Sequence, residues 1–330
     1  MSSIITSELA GIRRCRILAA AVFLFSPGAY ARSPQSAPLV GQATISVETD
    51  LVVLPVRVTD AAGNFVSGLT QDEFRVYENG RLQKISFFRQ EDVPVTVGLI
   101  VDHSRSMGPK LPGVAEAVSD FSQSSNPDDE MFVVDFSDNV SLELPGGKPF
   151  TNNPRELAQA VSAVSARGMT ALYDAVAEGL NHLSLGRSER KALIIVSDGG
   201  DNASGRKYAE VLELARRSGA VIYAIGLVGA LEVAEENPGV LRNLCKDTGG
   251  LAFFPGEQES VAEISTKIAH DLREQYTLGF VPDRTRGDSF RKIRVEVAAA
   301  GQRKLQVRTR SGYFPAPQKQ PAAANGKDRS

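Results

Sequence analysis

The sequence predicts an α/β domain, a doubly wound and mostly parallel sheet flanked by helices, joined to an accessory β-sandwich-like domain built from strands on both sides of it. Three observations carry this reading. Between Val95 and Arg273, continuous apolar runs alternate with segments of helical period, as expected for parallel strands covered on both faces. The flanking segments 44–92 and 276–314 have the period-two alternation of half-buried strands. Asn79-Gly80 separates two such runs, and both residue types tolerate the positive φ of a two-residue hairpin turn.

Taken in order, residues 1–31 read as a secretory signal peptide. Arg13, Arg14 and Arg16 precede a nine-residue apolar run, Ile17 to Phe25, and the small-x-small triplet Ala29-Tyr30-Ala31 follows. The run is far short of the roughly 20 apolar residues of a membrane-spanning helix. The chain is therefore expected to be exported, to the periplasm, the outer surface or the medium, after cleavage near Ala31. The arginine pair admits a twin-arginine route, and Cys15, on the basic side of the run, lacks the setting of a lipid acceptor. Residues 32–43, rich in Pro, Ser, Ala and Gln, read as a flexible leader.

The N-terminal β segment, 44–92, holds Ile45, Val47, Leu51, Val53, Leu54, Val56 and Val58, a turn at Asp60 to Asn64, then Phe74, Val76, Ile85 and Phe87. The α/β domain, 93–275, has predicted strands at 95–101, 131–136, 192–196, 221–227 and 251–254. Its helices are predicted after Pro112 and at 154–164, 171–183, 208–217, 240–246 and 261–273. The C-terminal β segment, 276–314, supplies strands at 276–281, 293–297 and 305–307. The Pro-, Ala- and Lys-rich tail, 315–330, reads as disordered. The two β segments contribute 49 and 39 residues, together close to the roughly 100 of an immunoglobulin-like sandwich. One β domain with an inserted α/β domain is the reading adopted; two separate small β units are its rival, distinguished by whether strands of the two segments pair.

Charge excludes one broad class. Thirty-seven basic and 39 acidic residues give a net charge of -2, or -4 for the 299 residues after cleavage, which leaves no field for holding a phosphate backbone nonspecifically. Cleavage also leaves Cys245 as the single cysteine, so no intramolecular disulfide can form and stability must come from packed cores.

The chemistry gathers on three loops. The first α/β strand runs into Asp102-His103-Ser104-Arg105-Ser106, Thr170 opens the helix starting at Ala171, and Asp198 follows another buried strand in Ser197-Asp198-Gly199-Gly200. Ligands of such sheets bind at the carboxyl edge of the strands. Hydroxyl and carboxylate oxygens without Cys or His are hard donors, suited to Mg²⁺, with Mn²⁺ or Ca²⁺ as alternatives, and unsuited to zinc.

Asp102-x-Ser104-x-Ser106 with Thr170 and Asp198 resembles the metal-ion-dependent adhesion site of von Willebrand factor type A domains, which have a Rossmann-like fold. The order of elements carries the resemblance over about residues 93–275. Val58-Thr59-Asp60, Gly68-Leu69-Thr70, Phe74, Glu78-Asn79-Gly80, Cys245 to Gly250, Phe253-Phe254 and Gln275-Tyr276 look like the exported bacterial VWFA-related proteins of acidobacterial type. The resemblance implies that Ser104, Ser106 and Thr170 coordinate the ion directly, that Asp102 and Asp198 act largely through water, and that the engagement of Thr170 changes between open and closed states. It further implies a noncatalytic, adhesion-type module that captures an Asp or Glu of an unidentified partner protein. A metal-assisted hydrolase and an envelope protein with a metal folding staple are the alternatives.

The other polar residues have plainer readings. His103 lies beside the site by adjacency and reads as a packing or exposed residue, not a base. Asp201 and Asn202 read as loop formers, and His182 and His270 as surface or packing residues. Cys245, on an apolar-periodic face, reads as a buried inert thiol. No nucleophile elbow or phosphate loop is present in the sequence.

Overall fold

A computed structural model describes residues 51–228, 236–256, 259–283, 288–298 and 305–315. The signal-peptide and leader assignments, the tail beyond Pro315, Cys15, Ile45 and Val47 lie outside these residues.

A six-stranded sheet occupies the middle of the α/β region. Its strands are β5 (Val95–Asp102), β6 (Glu130–Phe136), β7 (Val140–Leu142), β8 (Arg190–Ser197), β9 (Val221–Gly226) and β10 (Ala252–Phe253), in the order β10-β9-β8-β5-β6-β7. All neighbours pair in parallel except β6 and β7. β7 is a short antiparallel edge that the sequence did not signal. β5 is central, with all eight residues buried, which is why its run lacks polar alternation.

Among the described residues six helices accompany the sheet: α1 (Leu111–Ser124), α2 (Pro154–Ser162), α3 (Leu172–Leu183), α4 (Tyr208–Ser218), α5 (Pro238–Thr248) and α6 (Val261–Arg273). α1 packs between α2 and α6, and α4 between α3 and α5. Successive strand residues feed opposite layers. Leu99, Ile194 and Val196 line a space with Val114, Val118 and Phe121 of α1, whereas Ile100 and Leu193 approach Gly179 of α3. Chain order reverses across β5 and β8, so the loops leaving these neighbours diverge and open a crevice at the carboxyl edge.

Two four-stranded antiparallel sheets flank this domain in sequence. One has the order β13-β1-β11-β4 and the other β14-β12-β2-β3. Their strands are β1 (Val52–Thr59), β2 (Phe74–Glu78), β3 (Arg81–Gln83), β4 (Ile85–Arg89), β11 (Tyr276–Phe280), β12 (Arg291–Val297), β13 (Gln306–Arg308) and β14 (Gly312–Tyr313). Leu54, Val56 and Leu278 of the first sheet share one core with Phe74, Val76 and Val295 of the second.

Strands of the two flanking segments pair with each other. Val52 of β1 faces Phe280 of β11, and Val76 of β2 faces Val295 of β12. β4 and β11 are themselves neighbours, with Thr277 opposite Arg89. The α/β region thus leaves and rejoins the β region through adjacent antiparallel strands, the position of an enlarged hairpin loop, where an insertion disturbs the host least.

Asn79 and Gly80 form the hairpin turn with φ of 48° and 82°, joining β2 to β3. The second arm departs from the expected single strand. Beyond Gln83 the chain crosses between sheets, so that Ile85, Phe87 and Phe88 of β4 pair with β11 instead of β2.

A buried polar cluster joins the two regions. Asp271 of α6, 5% exposed, pairs with Arg57 of β1 and Arg308 of β13 and accepts a hydrogen bond of 2.6 Å from the Tyr223 hydroxyl of β9. Arg57 also donates to the Glu274 carbonyl at 3.0 Å, and Arg308 to the Gly249 carbonyl at 2.9 Å. Burial beside Asp271 pushes the Tyr223 hydroxyl well above its ordinary pKa, so it stays protonated and donates.

Candidate metal centre

The loop after β5 begins with Asp102, whose carboxylate folds back to accept the Ser104 N–H at 2.8 Å, an Asx turn that ends the strand. Its other oxygen accepts the Ser197 hydroxyl from the end of β8 at 2.6 Å. Both Asp102 oxygens are thus held by protein, and the residue is fully buried. Burial raises the Asp102 pKa; the bonds from Ser104 and Ser197 oppose that rise, and the charge of Asp198 adds to it.

Beyond Asp102, Ser104 starts a single 3-10 turn, Arg105–Met107, which brings Ser106 back beside it. The Ser104 and Ser106 hydroxyl oxygens are 3.1 Å apart, and the Ser106 hydroxyl donates to Asp198 at 2.8 Å. The other Asp198 oxygen accepts the Gly200 N–H at 3.1 Å, a second Asx turn that fixes the carboxylate. Ser104 and Asp198 are buried, while Ser106 is exposed. Three oxygens therefore form a contiguous row, buried at both ends and open to solvent at Ser106 in its middle.

Thr170, 7% exposed, comes from the third loop. Its N–H donates to the Asn202 side-chain oxygen at 2.8 Å, and its carbonyl accepts the N–H groups of Asn202 and Ala203 at 2.9 and 3.1 Å. On its other flank, Met169 N–H donates to the Asp138 carboxylate at 3.0 Å, Ala171 N–H to the Ser137 carbonyl at 2.8 Å, and Arg167 N–H to the His103 carbonyl at 2.8 Å. Gly168 makes this approach feasible. Its φ is +74°, and a Cβ there would lie 1.9 Å from the Asp138 carboxylate.

The structure brings Asp102, Ser104, Ser106 and Asp198 into one hydrogen-bonded chain with Ser197, and it seats the Thr170 backbone against the loop carrying Asp198. In the sequence Asp201 and Asn202 read as loop formers, and Ser197 as no more than the residue before Asp198. The structure shows Ser197 as the donor to Asp102 and Asn202 as the partner of Thr170. Their closeness to Asp198 was the one sequence signal available.

The donor set fits a small hard cation. Oxygens at adjacent corners of an octahedral Mg²⁺ shell lie about 2.9 Å apart when each bond is about 2.0–2.1 Å, and the two separations along the row are 3.1 and 2.8 Å. Among the described residues, no group of three or more His, Cys, Asp or Glu could hold a metal, so an ion here would rest on hydroxyls together with carboxylates.

His103 is fully buried under the loop. It pairs with Asp135 through Nδ1, and its Nε2 lies 2.9 Å from the Val161 carbonyl. Burial lowers its pKa, but Asp135 and the carbonyls outweigh that and raise it. His103 is a packing residue joining the β5 loop to β6 and α2. His182 is likewise packed, between Phe132 and Phe150, while His270 is exposed. Cys245 is buried with its thiol pushed strongly up, as expected of an inert cysteine.

Comparisons with known proteins bear on the whole domain. No curated protein matches the chain. Among solved structures it is similar to a von Willebrand factor type A protein from Catenulispora acidiphila, with 12% identity, 73% of each chain covered and a TM-score of 0.49. It is also similar to the conserved hypothetical protein BatB from Bacteroides thetaiotaomicron, with 16% identity, 54% of this chain and 97% of that one covered, and a TM-score of 0.44. The PilB minor pilin from Streptococcus sanguinis is similar at 12% identity over 56% of this chain and 63% of that one, with a TM-score of 0.44. The family model of the von Willebrand factor type A domain matches residues 97–267, a span that holds the central sheet from β5 to β10 and all three site loops and takes in more than half of the chain. The chain belongs to the von Willebrand factor type A domain family.

Proposed function

We propose that the chain is an exported, metal-dependent protein-binding module of adhesion type, whose site at the β5–β8 crevice captures an acidic group of a partner protein. Domains of this family often serve in protein interaction. The observation that carries the reading is the row of Ser104, Ser106 and Asp198 oxygens at 3.1 and 2.8 Å, buried at both ends and exposed at the central Ser106.

Ser104 and Ser106 would hold the ion with neutral oxygens, Thr170 would add a third hydroxyl, and Asp102 and Asp198 would orient the shell through the hydrogen bonds that fix them. A bound Mg²⁺ supplies a hard electrophile that a carboxylate from outside can complete. Neutral hydroxyls leave more of its charge uncompensated than an all-carboxylate shell would. The buried Asp102, with both oxygens engaged, serves as a fixed negative support beneath the row. Domains of this family are generally non-enzymatic interaction modules, and the proposed module is likewise noncatalytic.

The test is calorimetric titration of Mg²⁺ and Mn²⁺ into the chain, with Ser104→Ala and Ser106→Ala beside it. Saturable one-site binding that weakens at least tenfold in each variant, with unchanged thermal unfolding of the metal-free variants, is expected. Folded wild-type protein that takes up neither ion overturns the metal reading. Partner capture that survives chelation overturns the bridging mechanism.

A further inference from the structure

Helix α3 begins without a cap of its own. Ala171 occupies the capping position and offers no side-chain oxygen, although the first N–H groups of any helix need acceptors. The loop after β8 supplies them from across the crevice. Asp201 accepts the Tyr173 N–H at 3.0 Å, and the Ser204 hydroxyl accepts the Asp174 N–H at 3.1 Å while donating to Asp201 at 2.5 Å. Asn202 extends the same loop to Thr170, accepting its N–H through Oδ1 at 2.8 Å and returning its own N–H to the Thr170 carbonyl at 2.9 Å.

One residue thereby grips both polar groups of the Thr170 backbone. Two opposed hydrogen bonds to one residue restrain both its position and its rotation, which a single bond does not. Asn202 lies four residues beyond Asp198 on the same loop, so the grip ties the Thr170 backbone to the loop that carries the carboxylate. Asn202 is itself exposed, and its truncation removes no core packing.

Resting on the metal reading above, we propose that Asn202 is the positioning residue of Thr170, holding the threonine hydroxyl in register with Asp198 so that the site is set before an ion arrives. Asn202→Ala removes the side-chain half of the grip and leaves the backbone half. Loss of one ordinary hydrogen bond corresponds to an affinity change of about two- to tenfold.

The experiment is Mg²⁺ titration by calorimetry into the full chain carrying Asn202→Ala, Thr170→Ala or both, with amide hydrogen exchange of Thr170 followed in the metal-free proteins. Asn202→Ala is expected to weaken Mg²⁺ binding about two- to tenfold in the parent, to have no further effect once Thr170 is alanine, and to speed exchange at the Thr170 amide. Equal weakening in both backgrounds overturns the proposal, because Asn202 would then act other than through the threonine hydroxyl. Unchanged affinity in the parent overturns it too. If the parent binds no Mg²⁺ at all, the metal reading falls. The grip is then decided by hydrogen exchange alone: unchanged protection of Thr170 in Asn202→Ala refutes it, and faster exchange upholds it.

Discussion

Replacing Asp271 with alanine tests whether the buried cluster holds the α/β and β regions together. The side chain is 5% exposed and serves three donors from three strands, Arg57 of β1, Arg308 of β13 and Tyr223 of β9. Its removal leaves the fully buried Tyr223 hydroxyl without an acceptor, a loss of about 1–3 kcal/mol. The two guanidinium groups fare better. Arg57 keeps the Glu274 carbonyl at 3.0 Å and the Glu274 carboxylate at 3.3 Å, and Arg308 keeps the Gly249 carbonyl at 2.9 Å.

Removing one partner of a buried pair costs about 3–5 kcal/mol, and the retained bonds argue against a larger, additive loss. Asp271→Ala should therefore lower unfolding free energy by about 3–5 kcal/mol, and Asp271→Asn, which keeps an acceptor for Tyr223, by roughly half of that. Urea unfolding followed by circular dichroism measures both, with separate transitions for the two regions marking loss of their coupling. A loss below about 1 kcal/mol for the alanine variant would refute the reasoning, because the cluster would then behave as an exposed ion pair.

Two further outcomes follow from single residues. Gly168→Ala should destabilise the fold by about 1–3 kcal/mol, since φ is +74° and the new methyl would displace the Asp138 carboxylate from Met169 N–H; an unchanged melting temperature contradicts this. Burial pushes the Asp129 carboxyl up to about 6, against the bonds it accepts from Val95 and Asn126, with Asp92 raising and Arg273 lowering it further. A folded-state pKa above the unfolded value of 3.8 means that the folded state holds the proton more tightly. The stability linked to Asp129 is then full below that value and lost as pH rises through about 6. A carbon-detected titration with an Asp129 midpoint near the unfolded value would dispose of the argument.

Much of the fold was legible because its signals are local. The period of the apolar residues predicts a helix at 261–273, and α6 spans Val261–Arg273, where the structure adds a Ser260–Glu263 capping box with bonds of 2.9 and 3.2 Å. The continuous run at β5 announces a strand covered on both faces. Asp102, Ser104, Ser106 and Asp198 stand out in the sequence as hard oxygens just after apolar strands, where a parallel sheet exposes its loops, and the structure links them by hydrogen bonds.

Other features depend on residues far apart in the chain. Val52 pairs with Phe280, and nothing in either segment alone names its partner. β4 leaves the hairpin arm to pair with β11, a strand of the other flanking segment. Only the folded chain shows that Asp201 and Ser204 cap α3 and that Asn202 grips Thr170, because these bonds cross about 30 residues between two loops. Period and capping act within a few residues and so reside in the sequence itself. Pairing, burial of charge and capping across the crevice depend on distances that exist only after the chain has closed on itself.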